Sequence, residues 1–154
     1  MGGTAEHEPT ADVQDTITGR LLALFRLMQA NFEESAGALG LTSPEGHALH
    51  HLAAPAPMRA MADSLCCDAS YVTVLVDRLE RRGLVVRSPD PEDRRVKRLV
   101  LTENGVTLRA ALMAAIHSGS SALQRLDAQE RTAFNDLLGK LVAGSGAAGS
   151  HSGG

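Results

Sequence analysis

The chain has 154 residues, enough for one domain with a real core. Aromatic residues make up only 3% of it, so that core must be aliphatic, and a net charge of −3 excludes attraction to a polyanion through bulk charge alone. No apolar run approaches the roughly 20 residues of a membrane span. The acidic, polar start at Met1–Asp12 is unlike a signal peptide. Adjacent cysteines, Cys66 and Cys67, do not suit a disulfide with each other. Together these features point to the cytoplasm. Residues 1–12 and the Gly/Ser/Ala-rich stretch 144–154 are expected to be disordered tails.

In chain order, Val13, Ile17, Leu21, Leu24, Phe25, Met28 and Phe32 recur at three and four, which predicts a helix from about Val13 to Glu34. Leu22 and Leu27 lie outside that stripe, so the helix should bury more than one side. Thr42-Ser43-Pro44-Glu45 is a helix start, with a hydroxyl cap, a first-turn proline and an acid at the positive end of the dipole. That helix should end before Pro55. Met58–Cys66 reads as a short helix. Asp68 caps the next, with Val72, Leu75, Val76 and Leu79 buried and Gly83 as its stop. Leu84–Arg87 and Arg98–Leu101 read as the strands of a hairpin whose tip is Pro-Asp-Pro-Glu-Asp-Arg-Arg. Thr102 caps a long helix, Glu103–Leu123, and Asp127 caps the last, which carries Phe134, Leu137, Leu138, Leu141 and Val142.

A mostly α chain with one small β-hairpin wing, in this order, is a winged helix-turn-helix, a device for reading DNA. The charge distribution agrees. Of 15 Lys and Arg residues, eight fall in Arg78–Arg98, and four of those lie within Arg94–Arg98. On a helical wheel centred on Val72, Ser70, Val74 and Arg81 point away from the buried stripe. Thr73 and Asp77 take one flank, Tyr71 and Arg78 the other. A small N-terminal turn widening into cations suits a helix whose start enters the major groove and whose end meets phosphates. Arg94, Arg95 and Lys97 at the hairpin suit a narrow minor groove. Asp93 beside them makes sense if its carboxylate pins Arg95 in one rotamer. The competing reading is a solvated helix face, with pairs such as Asp77–Arg81, beside a soluble charged hairpin.

Residues Leu41–Glu103 resemble the MarR family of bacterial winged-helix regulators. The likeness rests on Leu41-Thr42, on Leu49 and Leu52, on the run Val72–Val85 with its Leu79-Glu80-Arg81-Arg82-Gly83-Leu84-Val85, and on Asp93-Arg94-Arg95 followed by Leu99-Val100-Leu101-Thr102 and Gly105. It implies a sequence-specific regulator of double-stranded DNA, a repressor released by a small-molecule effector. It also implies an intertwined homodimer on a near-palindromic operator, with Arg95 in the minor groove. Residues 13–40 and 103–143 would then form a helical dimerisation region and 41–102 the DNA-binding lobe. The sequence departs at Val74, a position often basic in the family.

The family's effector pockets lie among the first, second and fifth helices. Here that places Leu24, Met28 and Met113 with His47 and His51 as the expected site. His47 and His51 have the i,i+4 spacing of a metal pair, and Glu45 and His117 could complete it, but a closed zinc site needs about four ligands. No metal or other cofactor is expected. Cys66 and Cys67 fall at the helix-turn-helix turn, where oxidation could release DNA. Asp68 next door opposes a thiolate, and cysteine is a common core filler, so two buried thiols are expected. Zinc or thiol sensing is therefore the alternative to a small-molecule signal. Phosphate loops, H-E-x-x-H, C-x-x-C and G-x-S-x-G are absent, which argues against an enzyme.

Overall fold

The computed structural model describes residues 10–143 of the chain. The expected tails, 1–9 and 144–154, lie outside the described residues. Helix α1, Thr10–Ala38, already includes Thr10, Ala11 and Asp12, and runs four residues beyond Glu34. Gly40, at φ 66, allows the turn out of it. Thr42 and Glu45 then form a full capping box at the start of α2, Ser43–His51.

A two-residue strand, β1 (Ala56–Pro57), precedes α3 (Met58–Leu65). Helix α4, Ala69–Arg81, is capped by Asp68, whose carboxylate accepts from the Tyr71 amide. Gly83, at φ 67, releases the chain into β2 (Val85–Pro89), and β3 (Lys97–Leu101) returns antiparallel to it. Val85 faces Leu101 and Pro89 faces Lys97, while Ala56 of β1 pairs with Leu99 on the other side of β3. The sheet is therefore three-stranded, in the order β1-β3-β2. Two residues flanked by prolines carry no alternating pattern, which is why β1 is invisible in the sequence.

Helix α5 covers Glu103–Gly119 and stops short of the expected Leu123. At Gly119 a Cβ would stand 2.1 Å from Asn31 Oδ1, and Asn31 Nδ2 donates to the Ile116 carbonyl at 2.9 Å. Glycine there lets α1 bond to the end of α5. The winged lobe, α1 and α5 form one compact unit ending at Gly119. Its core joins Phe32 and Ala36 of α1, Ala48, Leu49 and Leu52, Met61, the α4 stripe, Val85, Leu99 and Leu112. The residues from Ser120 onward form a second unit, in which α6 (Ser121–Gln124) precedes α7 (Ala128–Ala143). Asp127 and Glu130 cap α7 reciprocally, each carboxylate accepting from the other's amide.

The helix stripes diverge from expectation in one respect. Val13, Ile17, Leu21, Leu22, Phe25, Leu27 and Met28 of α1 are exposed, and so are Leu137, Leu138, Leu141 and Val142 of α7. Ala23, Leu24 and the C-terminal part of α1 turn inward. Of the described helices, none is long and apolar enough to cross a membrane.

Candidate nucleic-acid interface

The buried stripe of α4 is the expected one: Val72, Leu75, Val76 and Leu79 are all buried. That fixes the opposite face. Ser70, Tyr71, Thr73, Val74, Arg78 and Arg81 are exposed together on it. Beside α4, the wing tip exposes every residue from Pro91 to Lys97, including Arg94, Arg95 and Lys97.

The eight cations of Arg78–Arg98 are not equally free. Three are used internally. Arg82 reaches back to Glu45 of α2 at 2.9 Å. Arg87 of β2 bonds Asp77 at 2.7 Å and also Glu80, while its own amide donates to Glu80 Oε1 at 3.0 Å. Arg98 holds Asp90 at 3.3 Å and donates to the Pro55 carbonyl at 3.1 Å. Arg78, Arg81, Arg94, Arg95 and Lys97 have no ion pair among the described residues, although Arg81 Nε donates to the Asp77 carbonyl at 3.2 Å. Asp77 is thus committed to Arg87 rather than to Arg81. The five cations left over are the ones placed on α4 and the wing as candidate DNA contacts.

The wing tip is held by carboxylates in a way the sequence misassigns. Asp93 does not bind the Arg95 guanidinium; its Oδ1 accepts from the Arg95 amide at 2.9 Å. Its carbonyl accepts from Val96, also at 2.9 Å. Asp93 therefore sets the backbone from which Arg95 projects, and leaves the guanidinium free of it. Asp90 does similar work one turn earlier, with Oδ1 on the Glu92 amide at 2.8 Å and Oδ2 toward Arg98. An acid at the base of a basic wing reads in sequence as a liability. The local side chain-to-backbone bonding that Asp favours is its actual use here.

Among the described residues, Glu45 is the buried acid. Burial opposes its ionisation, but the Thr42 amide and hydroxyl and the Arg82 guanidinium outweigh that and hold its pKa below the ordinary glutamate value. Its Oε2 is taken by the Thr42 amide and the Arg82 guanidinium, each at 2.9 Å, so its engagement is with the cap and Arg82 rather than with the metal site weighed from the sequence. Among the described residues, no three His, Cys, Asp or Glu side chains converge to hold a metal. The His47 ring stacks on Phe32 with centroids 3.9 Å apart, and burial, followed by the neighbouring His50, lowers its pKa despite Glu33.

Leu24 and Met28 sit on α1, His47 and His51 on α2, and Met113 on α5; all but Met28 are half-buried. These three helices pack on one another, yet the described clefts lie elsewhere. One, of about 190 Å³, lies between Thr42, Pro44, Tyr71, Val74, Leu75 and Arg78. Another, of about 500 Å³, lies between α3 and α4. The histidine that meets Met113 is His50, its Nδ1 3.2 Å from the sulfur. Sequence spacing singled out His47 and His51 and passed over it. The two cysteines also divide. Cys67 is half-buried against the core, as a filler would be. Cys66 is exposed at φ 50, ending α3 in the left-handed conformation, so the expectation of a buried thiol fails there.

Comparison with known proteins gives a consistent result. The MarR family model matches residues 41–97. The chain is 31% identical over 134 residues to the HTH-type transcriptional repressor NicR of Pseudomonas putida, covering 85% of each protein. A probable transcriptional regulator from Pseudomonas aeruginosa superimposes with TM-score 0.62 at 30% identity, over 84% of this chain and 98% of that one. Wild-type MarR of E. coli, in its apo form, gives TM-score 0.63 at 25% identity, over 80% and 95%.

Proposed function

The chain belongs to the MarR family of DNA-binding transcriptional regulators, which are not enzymes, and from that premise we propose that it is a cytoplasmic repressor, working as a homodimer on a near-palindromic operator and released by a small-molecule effector. Helix α4 enters the major groove through Ser70, Tyr71, Thr73 and Val74. Arg78 and Arg81 meet phosphates, and the wing carries Arg95 into the minor groove with Arg94 and Lys97 beside it. One observation supports this reading: ion pairing commits Arg82, Arg87 and Arg98 to carboxylates and leaves the other five cations of the stretch, on these two elements, without one.

The dimer is supported by the apolar side chains that α1 and α7 leave in solvent, because a single copy gains nothing by exposing them. A small aromatic or phenolic effector would act where α1, α2 and α5 meet, on Leu24, Met28 and Met113, with His47, His50 or His51 supplying a polar contact. Release requires only that the effector prefer a spacing of the two α4 helices that the operator does not accept.

The test begins with duplexes selected from a random pool. Arg95→Ala should weaken binding to the selected site by about 1–3 kcal/mol per subunit, with the fold unchanged because the residue is exposed at the tip. Unchanged affinity at physiological salt refutes the wing assignment.

A further inference from the structure

The groove-entering half of α4 is short of hydrogen-bond donors. Ser70 carries one hydroxyl proton and donates it to the Asp68 carboxylate. Thr73 donates its own to the Ala69 carbonyl at 2.8 Å. Both oxygens keep lone pairs, so with those bonds kept they accept from a base edge rather than donate to it. Val74, 51% exposed at the centre of the face, offers methyl groups alone. Asp77, at the end of this face, accepts from Arg87 and has no proton to give. Tyr71, 45% exposed, holds the single hydroxyl proton of this half without a described partner. The guanidiniums of Arg78 and Arg81 come one to two turns later.

Base pairs differ in what they present to such a surface. Guanine shows the major groove two acceptors, N7 and O6, and needs donors in return. Adenine offers its N6 amino group, and thymine a 5-methyl. A face of acceptors and methyls therefore matches an A·T pair, with N6–H on Ser70 or Thr73 and the thymine methyl on Val74. With one free donor, the Tyr71 hydroxyl, it cannot satisfy both acceptors of a guanine edge.

On the reading that α4 is the recognition helix, we infer that this protein reads its half-site at the first turns of α4 mainly through thymine methyls, with Val74 as the specificity-determining residue. The operator pairs beneath Val74 are A·T, and guanine enters only further along, within reach of Arg78.

Thymine-to-deoxyuridine replacement removes the 5-methyl and nothing else, so it isolates the contact. In the selected duplex, each thymine in turn is replaced and the affinity remeasured. One or two positions per half-site should lose about fourfold each, the effect of one methyl leaving an apolar contact. Val74→Ala should weaken binding to the thymine duplex and remove the deoxyuridine sensitivity at those positions. The side chain is outside the core, so the variant's thermal unfolding should match the parent's and separate loss of contact from loss of fold. Tight binding that no deoxyuridine replacement weakens overturns the inference and leaves the operator reading standing. Sensitivity that persists in Val74→Ala also overturns it. A chain that selects no duplex overturns both.

Discussion

Arg87 makes no claim on DNA, yet its replacement should cost DNA affinity. It joins β2 to α4 by three bonds: its amide to Glu80, and its guanidinium to Glu80 and to Asp77. Side-chain exposure is 28% for Arg87, 30% for Glu80 and 49% for Asp77. The Asp77 pair is half in water and is worth roughly 0.5 kcal/mol. The Glu80 pair is more enclosed and charge-assisted, about 1.5 kcal/mol. Arg87→Met should therefore lower stability by about 2 kcal/mol, which leaves a domain of this size folded. Two effects on DNA then compete. Uncovering two carboxylates repels phosphate, but a unit charge at about 10 Å in water contributes roughly 0.4 kcal/mol before screening, and about a third of that at physiological salt. Loosening the wing from α4 forfeits part of a minor-groove contact worth about 1–3 kcal/mol. Positioning should win. Arg87→Met is expected to bind the selected duplex about tenfold more weakly in filter or anisotropy titrations. The double change Glu80→Gln, Arg87→Met restores the parent's net charge of these three groups without the brace and should remain weak. Recovery in the double variant would show that charge compensation, not positioning, was the role of Arg87. Full affinity in Arg87→Met would refute both.

Gly105→Ala should cost at least the upper end of about 1–3 kcal/mol for overpacking, because its Cβ would lie 2.0 Å from the Leu84 backbone oxygen; an unchanged urea midpoint would contradict this. Acidification should destabilise the fold in two steps. His47 has a pKa lowered from 6.5, so the stability tied to its neutral ring is complete above that value and is lost as pH falls through the folded pKa. Glu45, lowered from 4.5, adds its loss below that value; His47→Gln should flatten the first step in urea midpoints taken between pH 7.5 and 5, and an undiminished slope there would exclude His47 as its source. Light scattering at micromolar concentration should give the mass of a dimer, and replacing Leu22, Phe25 and Leu137 with glutamine should shift it toward the monomer; a monomeric parent would refute the proposed interface.

Local signals carried most of the fold. Thr42 and Glu45, Asp68, Gly83, Thr102 and Asp127 each mark an end by chemistry that acts within four residues, and each is used as the sequence suggests. What failed was long-range. β1 exists only because β3 is beside it, and α5 ends where Asn31 of α1 arrives. The same division runs through the candidate interface. The face of α4 follows from its period, but which cations stay free depends on Glu45, 37 residues before Arg82, and on carboxylates one helix away from Arg87. Charge spacing in a sequence cannot separate a phosphate ligand from a structural brace. His50 was missed for the same reason, since its partner Met113 is 63 residues away.

The partition of cations also sets a limit on salt dependence, the most direct number a DNA-binding measurement returns. Residues 69–98 hold eight cations and five carboxylates, a local charge of +3 in a chain of −3, so the remaining residues carry −6. The rest of the chain is net acidic, so bulk charge adds no attraction to DNA and binding depends on local cations. If every Lys and Arg of the stretch met a phosphate, a dimer would neutralise sixteen, and the slope of log K against log salt would approach about −14. Arg82, Arg87 and Arg98 already have carboxylate partners. That leaves at most five cations of this stretch per subunit, ten per dimer, and from them a slope no steeper than about −9. Arg95, if it lies in the minor groove, sees phosphate only obliquely, which makes the slope shallower still. With exposed Arg59 of α3 replaced by alanine to exclude its contribution, a slope clearly steeper than about −9 would mean that the internal ion pairs open on DNA and surrender their arginines to phosphate. The wing would then be remodelled by its operator, and the brace at Arg87 would belong to the free protein alone.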